Sequence, residues 1–485
     1  MRRRLPAVFA LLLVLGALVI VGLARGGAFS APPRRAAILP PDVVIVGSGS
    51  GAAQETPIGL GIGVELDDRL DPGIAGVLRD VDIRVLRFGG INADDYDWET
   101  GYLYGDVGNR HQPTGALGEN GKFDQFLQVA EQIGAQPLIV VNGEIDDPQQ
   151  AARMVAYYER HCVHAQGDAS KPCLQPYWEI GNSPALWKHF AVPLKERRSG
   201  DVYTIQPDQY AALVVSYAVA MRRAEPRGSH LKIVADEWIA GATDQSWTDA
   251  VTAIDTHYAP LLYSPPHPAP SVREIVSAVQ NNVGGRPSID SSLSDLRDSL
   301  DQFTNGQNIG IILGEWSIDP NALDEPPVYG GYVQAIFAAE LIAHLWQDAE
   351  ADGPNPLLLA TQDPLSGSAQ EPFDIATGLP RPATQVYALV DRYFGNLPLA
   401  VTPGSAEGVV VAAAANTKGQ VSVLLVNSDQ RRAHTLTVRG MPAGPLDLWS
   451  IGPTADDKAS AIQHARQAGR KITLPPGAII VARTA

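Results

Sequence analysis

The chain is short of the residues on which metal and thiol chemistry depend. It has 2 cysteines and 4 methionines among 485 residues. Its 10 histidines are scattered, with no HExxH helix and no His/Cys cluster at metal-ligand spacing. No metal site and no cofactor are therefore expected. Positive charge is also scarce. With 37 Lys and Arg against 53 Asp and Glu, the net charge is −16, which argues against a phosphate-binding surface and against nucleic acid as a partner. One dinucleotide-like turn, "DVVIVGSGSGAAQE" at 42–55, lacks the helix that must start at its glycines and face a pyrophosphate. Thr56-Pro57 follows almost at once, so it reads as a strand and a Gly/Ser turn.

Apolar residues, by contrast, are plentiful. A content of 45% hydrophobic and 19% charged residues is that of a globular protein with an ample core. The length fits a large α/β domain with a smaller partner. At the N-terminus, "MRRR" precedes an uncharged run from Leu5 to Ala24. Residues 1–30 read as a signal-anchor segment, with the arginines inside and the body exported. Cleavage near "GGA" at 26–28, giving a secreted protein, is the alternative. Residues 31–56 read as a linker with a strand at 42–46. In an exported chain Cys162 and Cys173 are expected to form a disulfide closing the loop between them, worth roughly 3 kcal/mol.

From 57 to 394, apolar runs alternate with amphipathic helices. The runs fall at 58–66, 82–88, 137–142, 176–181, 231–236, 253–258, 309–316 and 356–362. Their apolar cores are continuous rather than alternating, as in parallel strands covered on both faces. Phe123, Phe126, Leu127, Ala130 and Ile133 make one helical stripe, and Tyr210, Leu213, Val214 and Tyr217 another. The pattern predicts an α/β fold, a (β/α)8 TIM barrel, over 57–394. An open doubly wound sheet is the rival. Short strands separated by Gly, Pro and Asn turns predict a C-terminal antiparallel β-sandwich over 395–485, which the strand at 42–46 can complete.

In such a barrel the chemistry sits at the C-terminal strand ends. These carry Arg87, Asn142, Glu144, Glu179, Asn182-Ser183, Asp236-Glu237, His257-Tyr258 and Glu315-Trp316. The loop "GGINADDYDWET" adds Asp94, Asp95, Tyr96, Asp97 and Trp98. The acidic run Asp94–Glu99 reads equally as a solvated loop. Carboxylates mixed with Trp, Tyr and Asn suit a sugar, whose ring stacks on aromatic faces and whose hydroxyls need polar partners. Trp98 and Trp316 are expected to be site aromatics. His257 fits either a packing or a subsite role. "KERR" at 195–198 reads as a solvated charge cluster.

These motifs, in this order, resemble the retaining glycoside hydrolases of clan A, in the branch of arabinofuranosidases, β-xylosidases and heparanase-like β-glucuronidases. "LRFGGINADDYDW", "PLIVVNGE", "YWEIGNSP", "DTHYAP" and "ILGEWS" resemble that branch's strand-end motifs. The resemblance covers nearly everything after the anchor. It implies that Glu315 is the nucleophile and that Asn182 reads the substrate 2-hydroxyl. It places Tyr258 and Arg87 beside Glu315; Asn142 and His257 are candidate sugar-binding residues from their place at the strand ends. It makes Glu179 structural.

The fourth-strand signature of the branch is W-E-[IL]-G-N-E-P, whose last Glu is the acid/base. Here that slot holds Ser183, which cannot protonate a leaving oxygen. Glu144 and Glu237 are the candidate replacements. Two classes stay open: a glycosidase, exported or membrane-tethered through the N-terminal segment, and a non-catalytic carbohydrate-binding or envelope protein on the same scaffold.

Overall fold

The computed structural model describes residues 43–47 and 58–484, apart from scattered short stretches. The signal-anchor segment and the Gly/Ser turn after Gly47 lie outside the described residues. Among the described residues no helix is long and apolar enough to cross a membrane.

Eight parallel strands close into a barrel. They are β1 Gly59–Val64, β2 Val85–Phe88, β3 Gln136–Val141, β4 Tyr177–Ile180, β5 Lys232–Asp236, β6 Ala253–Tyr258, β7 Gly310–Trp316 and β8 Leu357–Gln362. Each pairs with the next, and β8 returns to β1. The closed ring decides against an open sheet. Two expected runs are shortened at their ends. The second starts only at Val85, because Asp82 takes a positive φ of 62° and turns the chain. The first stops at Val64, leaving Glu65 beyond the strand.

The helices bury the expected stripes: Phe123, Phe126, Leu127 and Ala130 on one, and Tyr210, Leu213, Val214 and Tyr217 on another. The β5–β6 connection departs from the pattern. It carries two short 3₁₀ turns, Glu237–Gly241 and Ser246–Asp249, where a regular barrel has a helix.

The C-terminal strands form a six-stranded sheet facing a four-stranded one. The strand Val43–Val46 joins the smaller sheet, antiparallel to Val401–Thr402 but parallel to His434–Arg439. The sandwich is therefore antiparallel except for this one pair. The central strands of the larger sheet are buried on both faces. Val411, Ala413, Val423 and Leu425 fill the sandwich, while Val410, Ala412, Leu424 and Val426 join the barrel core. This explains why those strands read as unbroken apolar runs.

The helix Val333–Glu350, buried nearly all round, packs between the barrel and this sheet. Tyr332 and Trp346 lock the contact, donating to the carbonyls of Gly477 at 2.8 Å and Gly395 at 3.1 Å. Cys162 and Cys173 are disulfide-bonded.

Candidate active site

Strand β2 is buried along its whole length and yet carries an arginine. A charge there must be paired, since an unpaired buried ion is prohibitively costly. Arg87 meets this demand with three residues. Its Nε and Nη2 donate to Glu179 at 2.9 and 2.7 Å, and Nη2 also donates to Asn182 Oδ1 at 2.8 Å. Its Nη1 donates to Glu315 Oε1 at 2.7 Å. The other Glu315 oxygen lies 3.4 Å from His257 Nδ1, whose Nε2 is 3.1 Å from Asp255.

Glu315 thus sits between two cationic groups. Its side chain is 21% exposed while Arg87 and Glu179 are sealed, so among these Glu315 meets the cleft.

A local irregularity aims it there. The β6–β7 register shifts between Thr256 and His257, so that His257 comes opposite Glu315 and Gly314 is passed over. Gly314 N–H donates to Asp255 at 2.6 Å, and a Cβ at Gly314 would lie 2.3 Å from that oxygen. Only glycine leaves room for the carboxylate.

The cluster is electrostatically sorted. Burial opposes the His257 charge, but Glu315 and Asp255 outweigh it and push the imidazole up to about 10. Burial also tends to raise Asp255, yet His257 and Arg87 hold it below its ordinary range. Glu179 goes the other way. Burial raises it well above the carboxylate range against the pull of Arg87. Glu179 and Asp255 also share a hydrogen bond.

Two carboxyl groups absent from the predicted set complete the ring: Glu65, one residue past β1, and Asp363, one residue past β8. Neighbouring glycines make space for them. A Cβ at Gly63 would lie 2.1 Å from Asp363 Oδ1, and one at Gly90 would lie 2.1 Å from Glu65 Oε1. One oxygen from each of Glu65, Glu315 and Asp363 lies within 4.8 Å of the other two. Asp363 Oδ1 is buried with no hydrogen-bond partner among the described residues. Burial first, then the neighbouring carboxylates, raises both Glu65 and Asp363 well above their ordinary values. Each is an acid just past a strand run, in "GVEL" and "ATQD", a position that neither run alone marks as functional.

This trio has the spacing to hold a cation, as do Glu179, Asp255 and His257, whose two carboxylates Arg87 already pairs with. Cys162, His164 and Cys173 also cluster, but both thiols are in the disulfide.

Several predicted site residues belong to a loop scaffold after β2, β3 and β4. Asp94 is buried and accepts from the backbone N–H groups of Gly143 at 2.9 Å and Asn182 at 2.8 Å, and from the Trp187 indole at 2.9 Å. Burial and the Glu144 carboxylate lift it to about 7. Asn142 donates to the Asp94 carbonyl at 2.8 Å and accepts from Ile145 N–H at 3.3 Å. Glu144 accepts from the N–H groups of Lys188 and His189 at 2.8 and 2.6 Å and pairs with Arg197 at 2.6 Å. Arg197 also reaches Asp95 at 2.7 Å. "KERR" therefore needs correction: Arg197 is 1% exposed and ties the β2 and β3 loops together.

The expected aromatics also differ from expectation. Tyr258 follows inward-facing His257 and so points outward, donating to the Ala278 carbonyl at 3.2 Å. Trp316 follows Glu315 and likewise packs outward, against Phe337 and Tyr387. Trp98 packs on Phe123 and Tyr157. Of the rest, Glu237 is exposed after β5, accepting from the Thr256 hydroxyl at 2.5 Å. Ser183 is half-buried in the turn after β4, with a left-handed φ of 47°.

No protein-family model matches the sequence, and no curated protein matches it. Solved structures match its fold. An α-L-arabinofuranosidase from Thermotoga maritima in complex with arabinose is 16% identical, with a TM-score of 0.64 over 91% of this chain and 99% of that one. A GH51 arabinofuranosidase from Xanthomonas axonopodis pv. citri is 14% identical, with a TM-score of 0.64 over 91% and 99%. A Paenibacillus polymyxa xyloglucanase of glycoside hydrolase family 44 is 12% identical, with a TM-score of 0.61 over 91% and 99%. The chain thus shares the barrel-plus-sandwich fold of these clan A glycoside hydrolases along nearly its whole length.

Proposed function

We propose that the chain is a glycoside hydrolase of the retaining type, acting on a glycoside or polysaccharide with Glu315 as nucleophile. The observation that carries this is the placement of Glu315. It is a cleft-facing carboxylate at the C-terminal mouth of a barrel, one oxygen bonded to Arg87 and the other facing His257. Fold neighbours that cleave arabinofuranosides and xyloglucan support the substrate class.

Each neighbouring group then has a task. Arg87 and His257 fix the orientation of the Glu315 carboxylate for attack on the anomeric carbon. Asn182 Oδ1 accepts from Arg87, so its NH2 is the group left for a sugar hydroxyl. Glu179 and Asp255 hold Arg87 and His257 from behind. Ser183, in the slot that the resemblance assigns to the acid/base, supplies no proton. Export with tethering through the N-terminal segment is part of the same reading and rests on the sequence of that segment.

The serine favours a second reading, a carbohydrate-binding protein that does not cleave. A panel of aryl arabinofuranosides, xylosides, glucosides and glucuronides separates the two. The glycosidase reading expects turnover of at least one, lost in Glu315→Gln. Turnover that survives Glu315→Gln contradicts it. Sugar binding without cleavage, in wild type and in Ser183→Glu, establishes the second reading.

A further inference from the structure

We propose that Asp363 is the general acid of this site, in place of the carboxyl missing at Ser183; this rests on the retaining-glycosidase reading above. Position comes first. Asp363 follows β8, the strand next to the one bearing Glu315, and its N–H donates to the Trp316 carbonyl at 3.1 Å. Separation comes second. A carboxyl oxygen of Asp363 lies within 4.8 Å of one on Glu315, close to the roughly 5–5.5 Å between the two carboxyl groups of a retaining site.

Availability comes third. Among the described residues Asp363 Oδ1 is buried with no hydrogen-bond partner, so no other group holds it, while the residue as a whole is only half-buried. Glu65 is 8% exposed, and Glu144 is held by Arg197 and two backbone N–H groups. Glu237, after β5, is engaged by the Thr256 hydroxyl, from which it accepts at 2.5 Å.

The charged groups around Asp363 suit the task. Glu65 and Asp68 approach from beyond β1, Glu315 from β7, Arg87 from β2 and His257 from β6. Burial, and after it the Glu315 carboxylate, raise the Asp363 carboxyl well above its ordinary range, the direction a general acid requires.

The step balances. The Glu315 carboxylate bonds to the anomeric carbon while the bond to the glycosidic oxygen breaks, and the Asp363 proton passes to that oxygen. Asp363, now a carboxylate, then takes a proton from water. The hydroxide equivalent attacks the anomeric carbon, and Glu315 leaves as a carboxylate.

The test compares kcat/KM of the full-length protein on dinitrophenyl glycosides, whose leaving group needs no proton, with alkyl glycosides of the same sugar. Asp363→Asn is expected to lower alkyl glycoside cleavage by about 10²–10⁴-fold while dinitrophenyl cleavage changes by less than about tenfold. The alkaline limb of the alkyl pH profile should disappear, and azide should speed dinitrophenyl turnover where glycosyl-enzyme breakdown limits it. Asp363→Glu should recover part of the alkyl activity, which a folding defect would not allow. Equal losses on both substrates overturn the proposal. So does unchanged alkyl cleavage in Asp363→Asn; if Glu315→Gln is inactive in that case, the glycosidase reading stands and the acid lies elsewhere. Absence of any cleavage by wild type overturns both.

Discussion

On the β2–β4 side of the barrel mouth, Asp94 and Glu144 are each met by backbone N–H donors, and Asp95 and Glu144 by the Arg197 guanidinium. On the β7–β8–β1 side, Glu315, Asp363 and Glu65 face one another across less than 4.8 Å. The first arrangement neutralises carboxylates and fixes loops. The second leaves Glu65 and Asp363 facing Glu315 and each other, which with burial raises their affinity for protons; on the first side the same forces lift Asp94 to about 7, but three N–H donors hold its carboxylate in place. Both sides look equally acidic in sequence. Their difference teaches that what a carboxylate faces, more than where it lies on a strand end, separates scaffold from chemistry.

The largest expected effect tests the scaffold side. Arg197→Met leaves Glu144 buried without its cation, so urea unfolding should show a loss of about 3–5 kcal/mol. A loss near zero would erase the contrast between the two sides.

The open side should respond to pH through His257. Its folded pKa of about 10 exceeds the ordinary 6.5, so its contribution to stability is complete below about pH 6.5 and disappears as pH rises through about 10. Wild type should therefore be more stable than His257→Gln at pH 6, with the gap closing by pH 10 in thermal melts. A pH-independent gap would assign His257 a packing role alone.

Asp363→Asn should behave opposite to Arg197→Met. The Asp363 carboxyl has a raised folded pKa, so its ionisation lowers stability as pH rises above the ordinary carboxylate range. The asparagine variant should be as stable as wild type in acid and at least as stable at neutral and higher pH, when melts are compared across pH. A large loss at every pH would mean that Asp363 is a scaffold group after all.

Smallest of all, Tyr258→Phe removes one hydrogen bond to the Ala278 carbonyl, worth about 1 kcal/mol in unfolding experiments. Because Tyr258 points out of the barrel, kcat on an aryl glycoside should not change. A large fall in kcat would return Tyr258 to the site.

The barrel was legible because its strands are continuous apolar runs broken by amphipathic helices, and closure followed from their number. Arg87, Asn182, His257 and Glu315 were legible as polar residues at the ends of such runs. Tyr258 and Trp316 were misread for a geometric reason. Each directly follows an inward-facing residue, and alternation along a strand turns it outward. Arg197 looked solvated because its partners, Asp95 and Glu144, are distant in sequence. Glu65 and Asp363 lie at the first and last barrel strands, and only ring closure brings them together. Nothing in either run alone marks the pair.

The most direct test of Glu315 as nucleophile is covalent trapping. Wild-type protein is incubated with 2-deoxy-2-fluoro glycosides carrying a dinitrophenyl leaving group, of whichever sugar the aryl panel shows to be cleaved, and its peptides are mapped by mass spectrometry. A retaining site accumulates a glycosyl-enzyme, so one fluoroglycosyl group is expected on the peptide carrying Glu315. Turnover of the parent aryl glycoside without an adduct, or an adduct on another residue, would contradict the account.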